Sequence, residues 1–198
     1  MSKGIHLKPL GPDLARRIAI GEPQDTVSPD QLTPALREVA TAHHDLYQRT
    51  GAREPWIGYL AMEGSGDTAA VVGTCSFKDM PRRGAVEIAY FTFPGHEGRG
   101  IGRRMAAALV EIARSQGSVT EVVAHTLPEA NASTRILDRI GFACVGTVVD
   151  PEDGPVWRWL RALGQAGVEF TNREALQEEE RKRRGSGSMD RASEDQVW

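Results

Sequence analysis

The sequence predicts a mixed α/β domain: a mostly antiparallel central sheet flanked by helices, with one parallel strand pair. Three observations carry that class. Strand-like and helix-like patterns alternate along most of the chain, and three strand-like runs between Trp56 and Phe93 follow one another as a meander. The strand, helix, strand path from Ala85 to Thr126 is long enough for a right-handed parallel crossover.

Taken in order, Ile5 to Leu10 reads as a short first strand, then Pro12 to Ile20 and Pro34 to Arg49 as helices separated by the turn-rich stretch Gly21 to Asp30. The meander follows as Trp56 to Met62, Ala69 to Phe77 and Ala85 to Phe93. These runs are rich in Val, Ile and aromatics and are bounded by Gly64-Ser65-Gly66-Asp67 and Pro81-Arg82-Arg83-Gly84. From Ile101 the period becomes helical, because Ile101, Met105, Ala108, Leu109 and Ile112 recur on one face, and Gly117 ends the run. Val119 to Thr126 is a strand and Asn131 to Ile140 a helix closed by Gly141. Ala143 to Val149 and Val156 to Leu160 form a last pair around Pro151-Glu152-Asp153-Gly154-Pro155.

Composition narrows the function classes. The 198 residues carry 24 Lys plus Arg against 27 Asp plus Glu, a net charge of -3, which lacks the basic excess of a dedicated nucleic-acid binder. Cys75 and Cys144 lie far apart without CxxC spacing. The expectation is two half-buried free thiols in a reducing cytoplasm rather than a disulfide scaffold or zinc site, and no metal ligand set is expected. The start Met1-Ser2-Lys3-Gly4-Ile5-His6 leads into no apolar leader. The apolar run Met105 to Val110 is far short of the ~20 residues a membrane span needs, so a cytoplasmic protein without a membrane partner is expected, as monomer or homodimer. Residues 1–170 are expected to form the domain and 171–198 a charged tail, partly helical or disordered. Thirteen of those last 28 residues are charged, Gly185-Ser186-Gly187-Ser188 is linker-like, and pairs such as Glu178 with Lys182 have helical ion-pair spacing.

The most informative segment is Phe93-Pro94-Gly95-His96-Glu97-Gly98-Arg99-Gly100-Ile101-Gly102-Arg103-Arg104, a glycine-rich turn between a strand and an amphipathic helix. Glycines at 98, 100 and 102 allow close approach, and the helix start offers unpaired N–H groups and its positive dipole end to a phosphate or pyrophosphate. A nucleotide-hydrolysing P-loop needs GxxxxGK[ST], but Arg103-Arg104 follows Gly102. Neither glycine frame completes GxGxxG.

This loop resembles the coenzyme A loop of the GNAT N-acetyltransferase superfamily, with the pattern Gln/Arg-x-x-Gly-x-Gly/Ala read here as Glu97-Gly98-Arg99-Gly100-Ile101-Gly102. The resemblance extends to Val86-Glu87-Ile88-Ala89-Tyr90 before it and to Asn131-Ala132-Ser133 and Gly141-Phe142 after it. It covers about Ile5 to Leu160 and is nearest the RimJ/RimL-type branch, whose members acetylate amino termini of ribosomal proteins and other amines. It departs at Glu97, where Gln or Arg is usual. The resemblance implies a splayed parallel strand pair forming the coenzyme A cleft. It also implies main-chain pyrophosphate binding by Gly98, Arg99, Gly100, Ile101 and Gly102, with Arg103 at the rim, pantetheine contacts from Tyr90 and Thr92, and Asn131 and Ser133 near the thioester end.

Acetyl-CoA is then the cosubstrate and an amine the acceptor. At pH near 7.5, deprotonating a lysine-like amine costs roughly 4 kcal/mol and an α-amine under about 1. An α-amine therefore asks little of a base. Glu87 sits where several members of the superfamily carry a general-base glutamate, with an exposed strand-face carboxylate as the structural alternative, and His125 at the end of the next strand is a second candidate. The tyrosine that many relatives use to protonate the leaving thiolate is Asp138 here, which shifts that role to Ser133, a residue that could equally cap its helix with Asn131. Direct transfer to a primary amine, a peptide or protein amino terminus, is the expected reaction. A small-molecule (antibiotic or polyamine) acetyltransferase and a non-catalytic acyl-CoA-binding module are the alternatives.

Overall fold

The computed structural model describes residues 4–66, 69–151 and 153–164. The chain divides into a unit ending at Leu163 and a remainder from Gly164. The expectation of a charged, partly helical or disordered tail over 171–198 lies outside the described residues.

The elements are β1 (Ile5–Leu10), α1 (Pro12–Ala19), a short 3-10 turn (Pro29–Gln31), α2 (Pro34–Thr50), β2 (Gly58–Glu63), β3 (Ala70–Phe77), β4 (Ala85–Thr92), α3 (Ile101–Ser115), β5 (Glu121–Thr126), α4 (Ala132–Arg139), β6 (Ala143–Asp150) and β7 (Gly154–Ala162). Pro sits in the first turn of α1 and α2, where its missing N–H costs nothing, and Thr33 caps α2 by accepting from the Leu36 amide. Gly51, with φ of 64°, closes α2 in the left-handed conformation.

One seven-stranded sheet runs in the order β1-β2-β3-β4-β5-β7-β6, antiparallel everywhere except between β4 and β5. The single parallel contact is short: Ala85, Val86 and Glu87 pair with Glu121, Val122 and Val123, whereas β4 continues to Thr92 and β5 to Thr126. Beyond Glu87 the two strands part, leaving the edge of β4 that faces β5 without ladder partners.

Alternation along the strands assigns the two faces. Gly73 pairs with Thr92, Cys75 with Tyr90 and Phe77 with Ile88, and a Cβ on Gly73 would run into Met105 of α3. Val86, Ile88, Tyr90 and Thr92 therefore face α3. Gly58, in the row of Ser76 and Ala89, lies under His43 and Tyr47 of α2, so Glu87 and Ala89 belong to the opposite face. Tyr47 ties α2 to the sheet: its hydroxyl donates to the Leu10 carbonyl at 2.7 Å and accepts from the Gly58 amide at 2.8 Å. The core on the α3 face is built from Ile101, Met105 and Leu109 of the helix against Phe77 and Ile88, with Leu137 of α4 closing it.

The cysteines differ from the expected pair of half-buried thiols. Cys75 is buried beneath α3, where loss of water pushes its thiol pKa up, and Cys144 is exposed on β6. No described helix is long and apolar enough to cross a membrane.

Candidate active site

The loop from β4 to α3 is a backbone device. Gly95, Gly98 and Gly100 take φ of 84°, 72° and 73°, a conformation that costs an L-residue about 1–2 kcal/mol. A Cβ at Gly98 or Gly100 would meet nothing within 4 Å, so glycine is needed there for the chain path rather than for clearance. Gly102 is the reverse case. It lies inside α3, and a Cβ there would come within 3.1 Å of Ile136 Cδ1, 3.5 Å of Thr92 Oγ1 and 3.7 Å of Tyr90 Cδ2. The amides of Ile101, Gly102 and Arg103 open α3 and have no intrahelical acceptor, which leaves them and the positive helix end suited to an anion.

This loop closes one end of a cleft of about 440 Å³ between β4, α3 and α4. Of the residues expected to hold the cofactor, Tyr90, Thr92, Gly98, Gly100, Ile101, Gly102, Arg103 and Ser133 line it. Arg99 and Asn131 do not. The Arg99 guanidinium turns to Glu63 at the end of β2, with Nη2 donating to both carboxylate oxygens at 2.7 and 2.6 Å. Asn131 caps α4: its side-chain oxygen accepts from the Thr134 amide and the Thr134 hydroxyl accepts from the Asn131 amide, a reciprocal capping box. Ser133 is thereby free of capping duty. Glu97, the acidic departure in the loop motif, folds its carboxylate back to accept from the Gly95 amide at 2.7 Å.

A second cavity of about 180 Å³ adjoins the cleft and shares Tyr90 and Ser133 with it. Glu87 and His125 both line it, along with Lys78, Asp150 and Asp153. The two base candidates meet directly, with His125 Nδ1 3.0 Å from Glu87 Oε1; Lys78 Nζ stands 3.7 Å from the same oxygen. The ion-pair side chains are partly shielded, 28% exposed for Glu87 and 21% for His125. A carboxylate only accepts, so Nδ1 carries the proton of this bond, and in the neutral ring the lone pair is then on Nε2.

At the junction of the two cavities the Tyr90 hydroxyl donates to the Ser133 carbonyl at 3.3 Å. Burial pushes the Tyr90 phenol up to about 12, the Ser133 side chain working the other way, so it stays protonated near neutral pH. Asp138 is exposed on α4 and lines neither cavity.

Sequence reasoning did not find Lys78, Asp150 and Asp153, which enter from strand ends and the β6–β7 turn. Nor did it find Arg135 and Arg139, which border the cleft one helical turn apart on α4. That four-residue arginine spacing is a signal the sequence does carry. Among the described residues no group of three or more His, Cys, Asp or Glu is placed to hold a metal.

Comparison with known proteins agrees with this geometry. A family model described as an acetyltransferase (GNAT) domain matches residues 6–143. A mycothiol acetyltransferase from Frankia alni is 31% identical over 119 residues, 60% of this chain but only 30% of that protein, so the chain spans less than a third of that relative's length. Among solved structures, a spermidine N-acetyltransferase chimera from Vibrio cholerae superposes with a TM-score of 0.57 at 14% identity, covering 80% of this chain and 95% of that one. The RimL ribosomal L7/L12 alpha-N-protein acetyltransferase, solved with coenzyme A, superposes with a TM-score of 0.55 at 17% identity, covering 82% and 96%. With the family model covering well over half of the sequence and the splayed β4–β5 pair beside the glycine loop, the chain belongs to the GNAT acetyltransferase family.

Proposed function

We propose that this protein transfers the acetyl group of acetyl-CoA directly to a primary amine within a ternary complex, with a peptide or protein amino terminus as the acceptor. The observation that carries this is the Glu87–His125 pair, set in a cavity that shares Tyr90 and Ser133 with the glycine-loop cleft.

Acetyl-CoA supplies an activated thioester. The loop amides from Gly98 to Gly102 hold its pyrophosphate, and the unpaired edge of β4 beyond Glu87 offers main-chain groups to the amides of the pantetheine arm, as an added strand would. Glu87 orients His125 through Nδ1, and His125 Nε2 takes the proton of the amine as its nitrogen bonds to the acetyl carbon. The carbon–sulfur bond then breaks, with the Ser133 hydroxyl at the junction to donate to the departing thiolate, which takes its proton from solvent. An α-amine suits a His base because its pKa lies near physiological pH, so removing its proton costs under about 1 kcal/mol.

A specific observation favours a second reading. The acceptor cavity is small and carries Glu87, Asp150 and Asp153 against Lys78 and His125, which suits a compact cationic amine such as a polyamine. Thiol release from acetyl-CoA, followed over many turnovers across a panel of peptides with free amino termini and small amines, separates the readings. Turnover that depends on peptide residues beyond the reactive amine supports the first, and turnover confined to small cations the second. Binding of acetyl-CoA without thiol release for any amine would leave a non-catalytic acyl-CoA-binding module.

A further inference from the structure

The loop holds a side chain whose orientation is set from two directions. His96 lines the cofactor cleft, and its Nδ1 lies 3.1 Å from Arg99 Nη1. A guanidinium has donors and no acceptor, so Nδ1 must accept in this contact and the ring proton sits on Nε2. Arg99 is itself held by its two bonds to Glu63, whose side chain is only 12% exposed. The backbone is fixed as well, with the His96 amide donating to the Phe93 carbonyl at 3.1 Å. The Glu63 carboxylate offsets the Arg99 charge, and Glu97 has turned to the Gly95 amide. Of these loop side chains, His96 is the one that combines a place on the cleft wall with a committed N–H donor.

We propose that His96 Nε2–H donates to the cofactor's pyrophosphate, and that Glu63 and Arg99 are positioning residues that fix the imidazole for that bond. The inference rests on the acetyl-CoA reading above and assigns it a side-chain contact beyond the loop amides. It makes the Arg99 guanidinium, the most conspicuous cation in the motif, a strut rather than a phosphate ligand.

Calorimetric titration of the full chain with CoA, and with dephospho-CoA that lacks the ribose phosphate, tests it. His96→Phe should weaken both by about tenfold, the loss of one hydrogen bond to a charged acceptor. His96→Gln, which keeps an N–H at similar reach, should recover most of that loss. Glu63→Gln should weaken both by a smaller factor and add nothing in the His96→Phe background, since its effect passes through the ring. Unchanged affinity in a folded His96→Phe, or a loss for CoA alone, overturns the proposal. A wild-type protein that binds neither compound overturns the acetyl-CoA reading beneath it, which tells the two failures apart.

Discussion

At Gly100, where φ is 73°, a side chain has open space and an unfavourable backbone, so the cost of substitution is conformational. Gly100→Ala should destabilise the protein by about 1 kcal/mol and Gly100→Asn by less, measured by denaturant unfolding; equal stability of all three would show that the loop relaxes to another path. Glu87 and His125 were each visible in the sequence as titratable residues on strands. Their pairing was not, because they are 38 positions apart and meet only through the β4–β5 register, which sets Glu87 beside Val123 and brings His125, two residues on, to the same face. Arg99 shows the same limit. The partner of its guanidinium was not legible, because Glu63 at the end of β2 lies 36 positions away and meets it only through the fold.

Element α4 carries Ser133 and Ile136 into the cleft, and its start is fixed by the Asn131–Thr134 capping box. Asn131→Ala should cost about 1 kcal/mol of stability and weaken CoA binding through misplacement of α4; lost binding with unchanged stability would mean that Asn131 touches the ligand instead. Element order was legible because amphipathic periods, Gly stops and Pro starts are local signals. Boundaries failed where tertiary pairing overrode turn chemistry. Gly154 and Pro155 read as a turn, yet they pair with Asp150 and Val149 and lengthen β7 to Gly154–Ala162. Trp56 reads as strand, but its amide closes a turn on the Arg53 carbonyl and its ring packs edge-on against Phe77 at 5.0 Å.

Over the whole molecule, the crossover from β4 to β5 was readable from its length, whereas the insertion of β7 between β5 and β6 was not, since strand order depends on long-range pairing. The protein's three tyrosines share one property: burial lifts Tyr47, Tyr59 and Tyr90 from 10.0 to about 12. The folded state therefore keeps protons that the unfolded chain releases. Their contribution to stability should be level below about pH 10 and be lost as pH rises through about 12, with tyrosinate absorbance appearing together with unfolding; tyrosinate forming in a still-folded protein would contradict this. In the proposed reaction Glu87 and His125 act as one unit. The direct test is the acetyl-transfer rate to the best amine of the panel for Glu87→Gln, His125→Gln and the double variant. Each single change should slow turnover by about a hundredfold, with the double variant no slower than the slower single. Losses that multiply, or wild-type turnover in either single variant, would contradict it.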